Sequence, residues 1–308
     1  MASAVREHVV SILEGELTMA ERRTLRRDRV ARGRRGFEGD LVVVTGAGSG
    51  IGRATALAFA EQGATVVAAD LDPDSARLTV ELAGPGAEGA AGHAYAVDVS
   101  DAEAMEKFAE TVQAEHGVPD VVVNNAGIGM AGPFLEHSAE DWRRILGVNL
   151  WGVIHGSLLF GRQMADRGTG GHIVNTASSA AFTPSRAMAG YATSKAAVLM
   201  LSECMRADLA HLGIGVSAIC PGIVNTNITG SSQFVGMSAE DQRRTRQKAA
   251  RTYARRNYGP EKVAAQILTA VRRNRALQPV TPEARFAYAV SRLAPGLMRL
   301  AAKSDPTR

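Results

Sequence analysis

Leu41-Val42-Val43-Val44-Thr45-Gly46-Ala47-Gly48-Ser49-Gly50-Ile51-Gly52 decides the fold. Four apolar, mostly β-branched residues read as a buried strand, the glycines as a turn too tight for side chains, and Arg53 to Gln62 has the apolar spacing of a helix. A pyrophosphate can approach a helix N-terminus only where no Cβ stands between it and the backbone N–H groups, so Gly46, Gly48, Ser49, Gly50, Ile51 and Gly52 are candidate cofactor contacts. A glycine-rich turn alone is a weak signal. Here both flanking elements are present, and Asp70 closes a second apolar strand, Thr65 to Ala69, about twenty residues further on.

The chain has 308 residues, 45% of them apolar, enough for one α/β domain of about 250 residues plus extensions. No apolar run is long enough to span a bilayer, and the N-terminus lacks the order of a secretory signal, so a cytoplasmic protein is expected. Cys204 and Cys220 are expected as reduced core residues rather than a disulfide. The seven histidines show no zinc-ligand spacing, and no metal site is expected. The net charge of +4 arises in residues 1–36, where nine arginines face five acids. That segment reads as a solvated helix or linker. No aromatic residue interleaves its arginines to stack on bases, so nucleic acid is not an expected partner.

From Leu41 onward the pattern alternates: strand 65–69, helix 73–83, strand 93–97, helix 101–116 and strand 120–123 come first. A long helical region 138–165, strand 172–176, helix 190–211, strand 214–219, helix 260–273 and a short strand near 277–280 follow. Such alternation predicts a Rossmann-type, doubly wound parallel sheet of order 3-2-1-4-5-6-7, helices on both faces, and a ligand crevice at the carboxyl ends of the strands. One domain is expected over 37–281, with a lid at 227–259 whose helix starts at Ser238-Ala239-Glu240-Asp241. Residues 282–308 form an amphipathic extension, with Phe286, Val290, Leu293, Leu297 and Leu300 as an apolar stripe. The stripe reads as packing on the domain or on a second subunit; peripheral membrane contact is the alternative, and Pro295 argues against one straight helix.

Asp98-Val99 closes the third strand, where a carboxylate can accept from an adenine amino group. Asn124-Asn125-Ala126-Gly127 follows the fourth with small residues that let the backbone approach a cofactor. Tyr191 and Lys195, four apart on a helix, share one face. A phenol has an ordinary pKa of about 10, and a nearby ammonium favours the phenolate, giving a tyrosine able to exchange a proton with an alcohol or carbonyl oxygen. Ser178, after the strand ending at Thr176, is placed to hold that oxygen. Asn149 is an unfavourable residue inside an apolar helical stretch, so a local bend with a held water is expected there. Cys220-Pro221-Gly222 ends the sixth strand with a backbone break, and Val224 and Thr226 follow toward a carboxamide.

Thr45-to-Gly52, Asp98, Asn124-to-Gly127, Asn149, Ser178, Tyr191-Ala192-Thr193-Ser194-Lys195, Pro221-Gly222 and Thr226 together resemble the classical short-chain dehydrogenase/reductase family over about residues 37 to 280. The resemblance implies a catalytic tetrad of Asn149, Ser178, Tyr191 and Lys195, with Tyr191 as general acid/base and Lys195 also on the ribose hydroxyls. It implies a cofactor lining from the other motif residues, and a homotetramer or homodimer through helices 138–165 and 190–211. Asp70 followed by Leu71, with Ser49 uncharged, points to NAD(H) over NADP(H). The ends of the chain, namely the arginine-rich lead into Phe37, Asn257-to-Val263, and Arg272-Arg273-Asn274-Arg275 through Thr281-to-Arg285, resemble the dehydrogenase half of actinobacterial proteins that fuse an epoxide-hydrolase-type domain to a short-chain dehydrogenase. Residues 1–36 are too few for that hydrolase and read as a remnant linker, or as sequence upstream of a start at Met19.

Met130, Phe182, Met188, Ile228 and Phe234 are the expected substrate contacts, beside Ile128, Phe134 and Val235. Their apolar character favours a lipophilic secondary alcohol or its ketone. Two rivals are a β-ketoacyl reductase whose basic lid docks an acyl carrier and a dinucleotide-binding scaffold without turnover.

Overall fold

The computed structural model describes residues 36–84, 92–256 and 258–302, which from Phe37 onward belong to one compact unit. The expectations for residues 1–35 lie outside the described residues.

Leu41–Thr45 (β1) is buried throughout and pairs in parallel with Thr65–Asp70 (β2) on one side and Val121–Asn124 (β4) on the other. His93–Ala96 (β3) extends the sheet past β2, while Gly171–Thr176 (β6), Ile214–Cys220 (β7) and Leu277–Pro279 (β9) extend it past β4. The order is β3-β2-β1-β4-β6-β7-β9, which is the expected 3-2-1-4-5-6-7 once the strands of this sheet are counted alone. Side chains alternate across a strand, and the core divides accordingly. Val42 and Val44 join Val66, Ala68, Val123 and Val174 on one face; Val43 joins Val67, Ala69, Val122 and Ile173 on the other.

The first face is covered by Gly50–Ala60 (α1), through Phe59, and by Pro260–Arg273 (α9), through Val263 and Ile267. The other is covered by Ala102–His116 (α3), through Met105 and Phe108, and by Gly152–Arg167 (α5), through Phe160 and Met164. Local signals set the starts of the remaining helices. Asp72 caps Pro73–Ala83 (α2), which carries proline in its first turn, and Ser138 with Asp141 forms a reciprocal capping box at Ala139–Leu146 (α4).

The long helical region is interrupted where expected. Gly147–Trp151 is a π-helical segment between α4 and α5, with Asn149 buried at its centre. Ala189–Asp208 (α6) carries Tyr191 and Lys195.

The excursion after β7 folds as Ile228–Ser231 (α7), Gln233–Phe234 (β8) and Ala239–Arg256 (α8). β8 pairs with Met130–Ala131 (β5) in a two-stranded parallel sheet absent from the sequence reading, because two-residue strands leave no periodicity to detect. The C-terminal stripe breaks into Pro282–Leu293 (α10) and Pro295–Ala301 (α11).

One expectation is corrected: Cys204 is exposed on α6, and of the two cysteines only Cys220 is buried. Of the C-terminal stripe, Phe286, Leu293, Leu297 and Leu300 face outward from the domain. Among the described residues no helix is long and apolar enough to cross a membrane, and no cluster of metal-ligating side chains occurs.

Candidate active site

The glycine turn is built by close backbone approach. Gly46 and Gly50 have positive φ (64° and 52°), and a Cβ on Gly52 falls 2.0 Å from the carbonyl oxygen of Gly46. The Gly48 N–H donates to Asp70 Oδ2 at 2.7 Å, so the carboxylate at the end of β2 is locked beside the turn. Arg53 Nη2 donates to the Gly48 carbonyl, its Nε donates to Thr79 Oγ1 at 3.0 Å, and Thr79 Oγ1 donates to the Ala47 carbonyl at 2.8 Å. Thr45 Oγ1 accepts from the N–H groups of Asn125 and Ala126, and Asn125 Nδ2 donates to the carbonyls of Thr45 and Gly46. Thus Asn125 braces the turn from β4 rather than presenting its amide outward. Ser49 makes no side-chain capping bond to α1, whose first-turn N–H groups carry the positive end of the dipole. A side-chain-free turn, an uncapped helix start and a carboxylate beside it fit a dinucleotide pyrophosphate and its ribose.

Asp98 accepts from Ser100 N–H and Oγ through one oxygen, and His155 on α5 meets the carbonyl of buried Val99 at 2.9 Å. Leu71 stands exposed next to Asp70.

Lys195 is 3% exposed, and its Nζ donates to the Thr176 carbonyl at 2.8 Å while lying 6.0 Å from the centre of the Tyr191 ring. Burial pulls its pKa down to about 8, so the ammonium is the main form at neutral pH. A Cβ on Gly127 falls 3.4 Å from this Nζ and 3.2 Å from Asn149 Oδ1, which brings the β4 loop, the π-helical segment and α6 to one point. Asn149 spends its side chain on protein: Oδ1 accepts from Ile128 N–H at 2.8 Å, and Nδ2 donates to the Ile128 carbonyl and to Ser194 Oγ, each at 3.1 Å. Ser194 Oγ in turn donates to the Tyr191 carbonyl at 2.7 Å. Asn149 therefore ties the Ile128 backbone to the first turn of α6 and fixes the tyrosine's helix. Ser178 is buried where β6 ends, with Oγ accepting from Ala180 N–H at 3.1 Å. Cys220, behind it, is pushed up to about 12 by burial and stays a thiol.

The opposite wall depends on distant chain. A Cβ on Gly222 falls 2.3 Å from Thr281 Oγ1 and 2.5 Å from Glu283 Oε1, and Ile223 N–H donates to Glu283 Oε1 at 3.0 Å. Arg256, at the end of α8, pairs with the other oxygen of Glu283. Burial acts to raise the pKa of Glu283, but the N–H groups of Glu283 and Ile223, the Thr281 hydroxyl and Arg256 together hold it below the ordinary carboxylate value. Val224 is buried, and Thr226 lies against the start of α1, 3.1 Å from the Cβ position of Gly50, so the two walls meet there.

Of the expected substrate contacts, Phe182 and Met188 are half-buried in the segment leading into α6, with Phe182 5.1 Å from the Tyr288 ring of α10. Phe234 is half-buried on β8 and Ile228 opens α7. Met130 is 1% exposed and lies in a buried cluster with Ile145 and Val235, against which Tyr191 packs. Sequence reading missed Arg53, Thr79, Ser194, Thr281 and Glu283; each acts through a partner that no local pattern announces.

A glycine cradle at the ends of β1 and β2 and a tyrosine–lysine pair at the end of β6 define the class. Residues 40–234 match the family described as short chain dehydrogenase, and the chain belongs to that family of oxidoreductases, which bind a nicotinamide dinucleotide. It is 48% identical over 284 residues to "Probable oxidoreductase EphD" of Mycobacterium tuberculosis, a match covering 91% of this chain and 48% of that protein. The chain thus spans about half the length of that relative. It is 40% identical over 209 residues to "1-deoxy-11-beta-hydroxypentalenate dehydrogenase" of Streptomyces exfoliatus, covering 65% of this chain and 75% of that one. Among solved structures, a short chain dehydrogenase/reductase from Burkholderia phymatum in complex with NAD superposes with a TM-score of 0.76 at 32% identity, covering 88% of this chain and 98% of that one.

Proposed function

We propose that this chain is an NAD(H)-dependent oxidoreductase that interconverts a lipophilic secondary alcohol and its ketone. The observation that carries the reading is the buried Lys195 ammonium one helical turn from Tyr191, at the end of the strand that also supplies Ser178. When bound, a nicotinamide supplies the hydride acceptor or donor. In the oxidation direction, Ser178 Oγ holds the alcohol oxygen and Tyr191 Oη takes its proton as hydride leaves carbon. Lys195 stabilises the phenolate form between turnovers. Asn149 and Ser194 act by position, holding the first turn of α6 against Ile128.

NAD(H) is favoured because Asp70 is fixed beside the turn, where a carboxylate accepts from a ribose 2′-OH and repels a 2′-phosphate. The half-buried Phe182, Met188 and Phe234 favour an apolar substrate. A carrier-bound substrate draws less support from the lid, since Arg244 pairs with Glu240, Arg246 donates to the Ser232 carbonyl and Arg256 pairs with Glu283. A panel of lipophilic and sugar alcohols, read by NADH absorbance and repeated with NADP, tests the reading. It expects kcat/KM higher for NAD by about a hundredfold and turnover confined to apolar alcohols; equal cofactor use or a sugar preference overturns it. Exposed Trp151, Leu158 and Met200, on or beside α5 and α6, further support a dimer or tetramer through those helices, and sedimentation showing a stable monomer contradicts this.

A further inference from the structure

α10 and α11 turn an apolar face outward. Ala284 is buried and Tyr288 meets Phe182, so the inner side of α10 is fully used. On the outer side Phe286 is 71% and Leu293 85% exposed; on α11 Leu297 is 57% and Leu300 66% exposed. At the helical repeat, Phe286, Ala289 and Leu293 fall on one stripe, and Arg285 and Arg292 run along its edge. Arg299 continues the series on α11.

Between Ala284 and Ala302 there is no Asp or Glu. Among the described residues Arg285 donates to the Pro279 carbonyl and Arg292 stacks on Tyr288, 5.5 Å from its ring centre; neither contact neutralises the charge. The nearest acid on α10, Glu283, is engaged with Arg256 and Ile223. Four large apolar side chains concentrated in water and edged by cations of one sign call for a partner that is apolar within and anionic at its surface. A second copy facing this patch across a two-fold axis offers the same arginines and apolar side chains, with no carboxylate between Ala284 and Ala302 to answer the charge.

We propose that α10 and α11 form a docking surface for an anionic lipid bilayer: Phe286, Leu293, Leu297 and Leu300 enter the headgroup boundary, and Arg285, Arg292 and Arg299 meet lipid phosphates. The surface stands independently of the reaction proposed above.

The test is flotation of the full chain with vesicles of phosphatidylcholine alone and of phosphatidylcholine mixed with phosphatidylglycerol. Binding is expected on the mixed vesicles only, weakened at high salt and reduced at least about tenfold by Leu293→Ser/Leu297→Ser or by Arg292→Glu/Arg299→Glu. Thermal melting checks that each variant is folded. As a second readout that keeps the native surface, Leu300→Trp adds a fluorophore whose emission moves to the blue on mixed vesicles. Three results overturn the proposal: no association with mixed vesicles, equal association by the double variants, or a concentration-dependent self-association that the same substitutions abolish.

Discussion

The two walls of the crevice are made in opposite ways. The wall that starts at Leu41 is braced from the neighbouring strands of the sheet: the Gly48 N–H donates to Asp70 at the end of β2, Asn125 after β4 donates to the Thr45 and Gly46 carbonyls, and Arg53 reaches back five residues to the Gly48 carbonyl. The wall at Pro221-Gly222-Ile223 is held from outside the sheet, by Thr281 and Glu283 at the start of α10 and, through Glu283, by Arg256 at the end of α8. One wall is tied to strands of the central sheet; the other is tied to α8 and α10, which lie outside it.

Two substitutions set this contrast at its widest. Gly52→Ala forces a methyl into the Gly46 carbonyl, which is backbone and cannot swing away, so the first wall breaks together with the fold. A loss of about 3 kcal/mol of stability is expected, with a melting temperature about 6–12 °C lower and dinucleotide binding abolished. Glu283→Ala leaves the sheet and the glycine turn untouched. It frees the Ile223 N–H and Arg256, and kcat is expected to fall about tenfold, with dinucleotide affinity changed less than threefold and melting close to the parent. Urea melts and dinucleotide titrations of both variants separate the walls. A Glu283→Ala protein that loses the dinucleotide as Gly52→Ala does erases the distinction.

A smaller effect sharpens the same picture from the buried lysine. The folded chain releases the Lys195 proton near pH 8, but the unfolded chain keeps it to 10.5, so the unfolded state binds more protons between those values and stability rises with pH. Cys220 acts in the other direction: its thiol ionises near 9.0 when unfolded but only near 12 when folded, which opposes the rise above pH 9. Stability is therefore expected to increase by about 1 kcal/mol from pH 8 to 9 and then level off. Denaturant melts at half-unit steps read this, and Lys195→Met should flatten the rise; a parent protein indifferent to pH in that window contradicts the assignment of Lys195 as a buried cation.

The same contrast explains what the sequence made legible. Val42, Val43 and Val44 announce a strand buried on both faces, because a parallel sheet leaves no polar side to interrupt the run. Asn149 inside an apolar helix announced a bend, and the π-helical segment is there. Hidden from sequence were contacts whose partners lie far along the chain: Glu283 at Ile223, and Ser194 between Asn149 and the Tyr191 carbonyl. The burial of Met130 with Ile145 and Val235 was not legible either, because an apolar residue beside a turn reads alike whether it lines an opening or supports a wall. The C-terminal stripe was visible as a stripe; its orientation depended on Tyr288 and Ala284 filling the inner side first.

The proposed reaction needs the Tyr191 phenol to move the proton and Lys195 to make it able to. Tyr191→Phe measured in single turnover with NADH, alongside NADH titration of the same protein, separates that role from binding. A loss of about a thousandfold or more in the hydride-transfer rate, with NADH affinity within about threefold of the parent, is the predicted result. Turnover surviving the substitution, or a loss traced wholly to NADH no longer binding, contradicts it.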